Sequence, residues 1–153
     1  MEKEINHEHI DTSFASYLKG AFQLPDTDTK SFSPLTLAYI GDTVYDLIIK
    51  TSVVEKGNAP VNKLHKRVTK YVQATAQAEH YHLIEPMLTE EEMAIYKRGR
   101  NAKSYTSAKN AGIVEYRTAT GVEALIGYLF LTDQTDRLME LMRPVVNQIV
   151  SIS

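Results

Sequence analysis

The chain has 153 residues, 43% of them hydrophobic and 24% charged, with a formal net charge of −2; that is enough apolar content for one domain with its own core. It contains no cysteine, which excludes disulfides, thiolate nucleophiles and cysteine zinc sites. No apolar run reaches the ~20 residues of a membrane-spanning helix, and the opening MEKEINHEHID lacks the basic-then-apolar order of a signal peptide, so a cytoplasmic chain with no membrane partner is expected.

A net charge this small gives no overall pull toward polyanions, so nucleic acid would have to meet a local patch. The sequence supplies one. Eleven of the seventeen Lys and Arg residues fall in two windows, Lys56, Lys63, Lys66, Arg67 and Lys70, then Lys97, Arg98, Arg100, Lys103, Lys109 and Arg117. Glu55 and Glu115 are the only acids beside them.

In chain order, residues 1–33 are a polar arm in which IDTSFASYLKGAFQL has some helical spacing before the turn-prone PDTDTKSFSP; a short helix or partly disordered segment is expected. A domain is expected from Pro34 to the end of the chain. Its first helix carries the stripe Leu37, Ile40, Val44, Leu47 and Ile48, with Pro34 suited to the first turn, and should be buried on most of its circumference. Its polar arc is Thr36, Tyr39, Thr43, Asp46 and Lys50.

Gly57, Asn58 and Pro60 mark a break, after which a helix is expected from about Val61 to Ala78 with a basic outer side. EHYHLIEPML predicts a further short helix, and TEEE at Thr89–Glu92 is a capping box that opens the next. RGRNAKSYTSAKNAGIVEYRTA then reads as a basic loop of roughly twenty residues, a length that in a compact domain is functional or disordered. An apolar helix and an amphipathic final helix follow, so the fold expected is all-α, an irregular bundle of about six helices.

Two acids stand out. Glu123 is the only charge in TGVEALIGYLFL, and no basic residue lies at a helical contact position. An ionised carboxylate removed from water without a partner costs several kcal/mol or becomes neutral. Asp42, in YIGDTVYD, faces the same problem. Each could find its own buried partner. The alternative is one shared partner, since Gly41 and Gly127 permit close helix approach; a hard divalent cation, Mg²⁺ or Mn²⁺, suits carboxylate ligands without His or Cys. With basic segments nearby, that chemistry is phosphodiester hydrolysis.

The segments LAYIGDTVYD, VNKLHKRVTKYVQATAQAEH, LTEEEMAIYKRGRNAKS and KNAGIVEYRTATGVEALIGYLFL, followed by DRLMEL, resemble the Mini branch of the ribonuclease III family, over residues 34–145 and in the same order. That branch consists of the catalytic domain without a double-stranded-RNA-binding domain. The resemblance implies an all-helical, homodimeric, Mg²⁺-dependent endoribonuclease, with Mn²⁺ able to substitute. It would cut double-stranded RNA to 5′-phosphate and 3′-hydroxyl ends by attack of a metal-activated water, in maturation of the large-subunit (23S) ribosomal RNA precursor, with a ribosomal protein as a conceivable partner presenting the RNA.

It also implies that Asp42 and Glu123 are the catalytic metal ligands. Asp46, one turn beyond Asp42, is a further ligand candidate or simply a solvated acid. Leu35, Ala38 and Thr120 stand where larger family members carry additional acids, so fewer protein ligands are available. Thr120 would offer a neutral oxygen or cap a helix start. For RNA contact the residues singled out are Arg98, Arg100, Asn101, Lys103, Lys109 and Arg117, then Lys66, Arg67 and Lys70, with backbone and 2′-hydroxyl contacts dominating. His80 and His82, like His7 and His9, are expected to be surface histidines. The rival reading is a noncatalytic RNA-binding or ribosome-assembly module on the same fold.

Overall fold

The structure, a computed structural model, describes residues 13–102 and 112–151. Among the described residues there are seven α-helices and no strand: α1 Phe14–Ala21, α2 Pro34–Val54, α3 Val61–Val72, α4 Ala74–Ile84, α5 Glu90–Asn101, α6 Gly112–Leu131 and α7 Thr135–Val150. Short 3₁₀ turns lie at Thr29–Ser31 and Glu85–Met87. The fold is all-α, as expected.

Side-chain caps set the starts of three helices, α1, α2 and α5. Ser33 caps α2 by accepting from the Thr36 N–H at 3.1 Å, with Pro34 in the first turn. Thr89 and Glu92 form a reciprocal capping box on α5. Within the arm, Ser13 caps α1 and its hydroxyl also bonds the Asp133 carboxylate, which fastens α1 near the end of α6.

Two boundaries differ from the sequence reading. The helix expected from Val61 to Ala78 breaks at Gln73, whose ψ of 160° ends α3 and starts α4. The break is tolerated because the freed carbonyl of Val72 accepts a hydrogen bond from the Gln77 side chain at 2.9 Å. The twenty-residue loop is also helical at both of its described ends, since Arg98–Asn101 complete α5 and Gly112–Ala119 begin α6. Small residues there do the packing that apolar ones do elsewhere: a Cβ on Gly99 would lie 2.7 Å from the Ala124 Cβ, and one on Gly121 would lie 2.6 Å from the Tyr96 ring. Lys103 and Lys109 lie outside the described residues.

Helix α6 forms the centre, packing most extensively on α2, then on α5 and α4. Val122, Leu125, Ile126 and Leu129 are fully buried in it, each side chain contributing about 2 kcal/mol of apolar burial. Tyr81 of α4 stacks on Tyr96 of α5, with centroids 4.0 Å apart. Arg137 locks α7 onto the start of α5 by donating to both Glu92 oxygens at 2.8 Å and to the Met87 carbonyl at 2.7 Å. That arginine holds the Glu92 carboxyl below its ordinary range despite burial.

Helix α2 is more exposed than its apolar stripe suggests. Leu35, Tyr39, Leu47 and Val54 are all exposed, Tyr39 to 82%. At about 100° per residue they share one arc with Thr43, Asp46 and Lys50, and Asp42 lies at its edge. The inner side of α2 alone is covered by α6, so the expectation of burial on most of the circumference does not hold in the single chain.

Candidate active site

The site forms where α2 crosses α6. The two backbones approach so closely that a Cβ on Gly41 would lie 1.7 Å from the Glu123 carbonyl oxygen, and one on Gly127 would lie 2.0 Å from the Leu37 carbonyl oxygen. This contact sets Asp42, next to Gly41, beside the side chain of Glu123. The Asp42 carboxylate is close enough for its charge to act on the Glu123 carboxyl.

Burial pushes the Glu123 carboxyl up to about 8, the Asp42 charge pushes in the same direction, and a hydrogen bond from Gln77 opposes both. Gln77 Nε2 donates to Glu123 Oε2 at 3.0 Å. Near neutral pH the pair therefore carries less charge than two free carboxylates would. Beneath it, burial and then the Glu123 charge raise the Tyr45 phenol well above its usual range. His80 Nε2 lies 2.7 Å from the Leu141 carbonyl, an acceptor, so this nitrogen carries the proton and Nδ1 accepts from the Tyr45 hydroxyl at 3.0 Å.

His80 is thus a correction to the sequence reading. It is only 2% exposed and joins α2, α4 and α7, because it lies on the inner face of α4, which packs mainly on α6, while Thr75, Glu79, His82 and Leu83 keep the other face in solvent. His82 is exposed as expected. Thr120 is buried inside α6 and donates back to the Tyr116 carbonyl at 3.0 Å; it caps no helix start, since α6 begins at Gly112.

A desolvated carboxyl facing a second acid is a donor set that fits a hard cation. The positive charge would offset the repulsion and the burial that push Glu123 up, and both ligands are oxygens. Among the described residues no group of three His, Asp or Glu side chains is placed to hold a metal ion. Asp46 accordingly does not complete a triad with Asp42 and Glu123; it pairs with Lys50 at 3.1 Å.

Lys66, Arg67 and Lys70 lie exposed on α3, the last with its Nζ 5.8 Å from the Tyr71 ring centre. Arg98 and Arg117 are exposed on α5 and α6. Arg100 is half-buried, resting 5.7 Å from the Tyr96 ring centre and donating to the exposed Asn101 at 3.2 Å. Sequence reasoning did not find Gln77. Its only sign in the sequence is a polar residue amid the small side chains of ATAQA.

Residues 35–134 match the Ribonuclease III domain family. A Clostridium tetani protein named Mini-ribonuclease 3 is 50% identical over 78% of this chain and 80% of its own length. A Thermoanaerobacter protein of the same name is 46% identical, over 87% and 94%. A crystal structure of a Fusobacterium nucleatum protein superposes with a TM-score of 0.71 at 28% identity, covering 78% of this chain and 98% of that one. The chain belongs to the ribonuclease III family, in its Mini branch, and is therefore an endoribonuclease of the class that acts on double-stranded RNA. Enzymes of this family generally use divalent metal ions and are typically dimeric.

Proposed function

We propose that the protein is a Mg²⁺-dependent endoribonuclease acting in maturation of the large-subunit (23S) ribosomal RNA precursor, with Asp42 and Glu123 as its catalytic carboxylates. The observation that carries the site assignment is the desolvated Glu123 carboxyl facing Asp42 at the Gly41–Gly127 helix crossing. The ribosomal substrate rests on similarity to Mini-ribonuclease 3 proteins, and on this reading a ribosomal protein presents the RNA. Residues 34–153 make up the catalytic domain on this reading, and residues 1–33 an arm.

In this reading Asp42 and Glu123 hold the cation, and the Gln77 amide fixes one Glu123 oxygen. A bound divalent ion supplies Lewis acidity, acidifying water and offsetting charge on phosphoryl oxygens. Lys66, Arg67, Lys70, Arg98, Arg100 and Arg117 seat the duplex through its phosphates. The exposed arc of α2, with Leu35, Tyr39, Leu47 and Val54, supplies an apolar face for a second copy of the chain.

A cleavage assay on duplex RNA tests this. Asp42→Asn and Glu123→Gln should each abolish cutting while RNA binding persists. Wild-type protein that binds duplex RNA without cutting it, in Mg²⁺ or Mn²⁺, would instead support the noncatalytic RNA-binding module.

A further inference from the structure

Gln77 is 2% exposed and sits on α4, opposite the crossing of α2 and α6. Its Nε2 donates twice, to the Val72 carbonyl at 2.9 Å and to Glu123 Oε2 at 3.0 Å. Both partners are acceptors, so a flipped amide would set oxygen against oxygen twice; the amide has one orientation that works. In that orientation Oε1 is buried with no hydrogen-bond partner.

That combination is not what helix packing alone selects. A side chain kept for packing at this position would be apolar, and one kept only to cap Val72 would have no need to reach a carboxylate on another helix. Buried polar groups left without a partner call for a reason. Here the reason is the neighbour: Gln77 meets the Glu123 carboxyl of the candidate site, where an amide oxygen is a ready acceptor for a hydrated hard cation.

We propose that Gln77 is a positioning residue for RNA cleavage: its amide fixes the Glu123 carboxylate and ties it to the Val72 carbonyl at the end of basic helix α3. The inference rests on the reading of Glu123 as a catalytic carboxylate. It adds that helix α3, which carries Lys66, Arg67 and Lys70, and the cleavage centre are held in register through one side chain.

The test uses the full-length chain with Gln77→Leu, which keeps side-chain size and removes the donor. The expected result is a fall in kcat on duplex RNA of about tenfold or more, and a weakening of Mn²⁺ binding, read by electron paramagnetic resonance, of similar size. KM should stay near wild type. A wild-type kcat together with wild-type Mn²⁺ affinity overturns the proposal.

A measurement on otherwise native protein covers the case in which Gln77→Leu fails to fold. In ¹⁵N spectra the Gln77 side-chain amide signals should move when Glu123 is replaced by Ala, and in the wild type when Mg²⁺ is added. Signals unmoved by both overturn the proposal. Cleavage that survives Glu123→Ala removes the catalytic reading of Glu123 and the role of Gln77 with it, whereas an inactive Glu123→Ala beside a fully active Gln77→Leu removes Gln77 alone.

Discussion

Gly41 meets Glu123 backbone to backbone: a single added carbon on Gly41 would come within 1.7 Å of the Glu123 carbonyl oxygen. The carboxylates share a site because two helices cross where neither has a side chain to hold them apart. Gly41→Ala must push α2 off α6, which is overpacking against backbone that cannot yield. The expected cost is about 3 kcal/mol, read by thermal or denaturant unfolding. Gly20→Ala is the control, because its new Cβ would meet nothing within 4 Å; it should leave stability level or slightly higher. An unchanged Tm in Gly41→Ala would contradict the crossing.

The Glu123 carboxyl makes metal-free stability depend on pH. Its ordinary value is 4.5 and burial lifts it to about 8. Below 4.5 both folded and unfolded chains hold the proton. Between 4.5 and about 8 the unfolded chain has lost it while the folded one retains it, so this group's contribution to stability falls as pH rises through that window. Glu123→Gln should therefore stabilise the metal-free protein at pH 7.5 by on the order of 2 kcal/mol, seen as a higher Tm, and change little at pH 4. Added Mn²⁺ should raise the wild-type Tm and leave Glu123→Gln where it was. A wild-type chain insensitive to Mn²⁺ would count against the pair as a cation site.

If Arg100 contacts phosphate, Arg100→Ala should weaken duplex RNA binding most at low salt and reduce the slope of log affinity against log salt by about 1. Stability should fall slightly too, since the guanidinium rests near the Tyr96 ring. Binding measured across a salt series separates the two effects. An unchanged slope would show that Arg100 serves only the fold.

The exposed arc of α2 gives a separate prediction. Leu47 lies on it, half open to solvent and away from α6. Leu47→Arg should convert a dimer to a monomer in sedimentation analysis while the helical content by circular dichroism stays at the wild-type level. A dimer that survives the change places the interface elsewhere.

Much of this was legible in the sequence. Glu123 was conspicuous because apolar neighbours surrounded it, and Gly41 and Gly127 marked the crossing because only small residues let backbones touch. The ends of α5 and α6 were misread for the same reason in reverse. Gly99, Thr118, Ala119 and Gly121 pack closely without the apolar periodicity that signals a helix. Gln77 and His80 were missed because each takes its meaning from residues far along the chain, 46 positions away for Gln77 to Glu123 and 61 for His80 to Leu141. Helical periodicity reports one helix at a time, and it cannot register which neighbour a polar side chain meets.

The central claim is that Asp42 and Glu123 together hold the divalent ion used in cleavage. The most direct measurement is anomalous scattering from crystals of the full chain soaked in Mn²⁺. The account predicts a strong peak between the two carboxylates, lost in Glu123→Gln. Protein that cuts duplex RNA in Mn²⁺, yet shows its anomalous peak elsewhere and none at these residues, would contradict it.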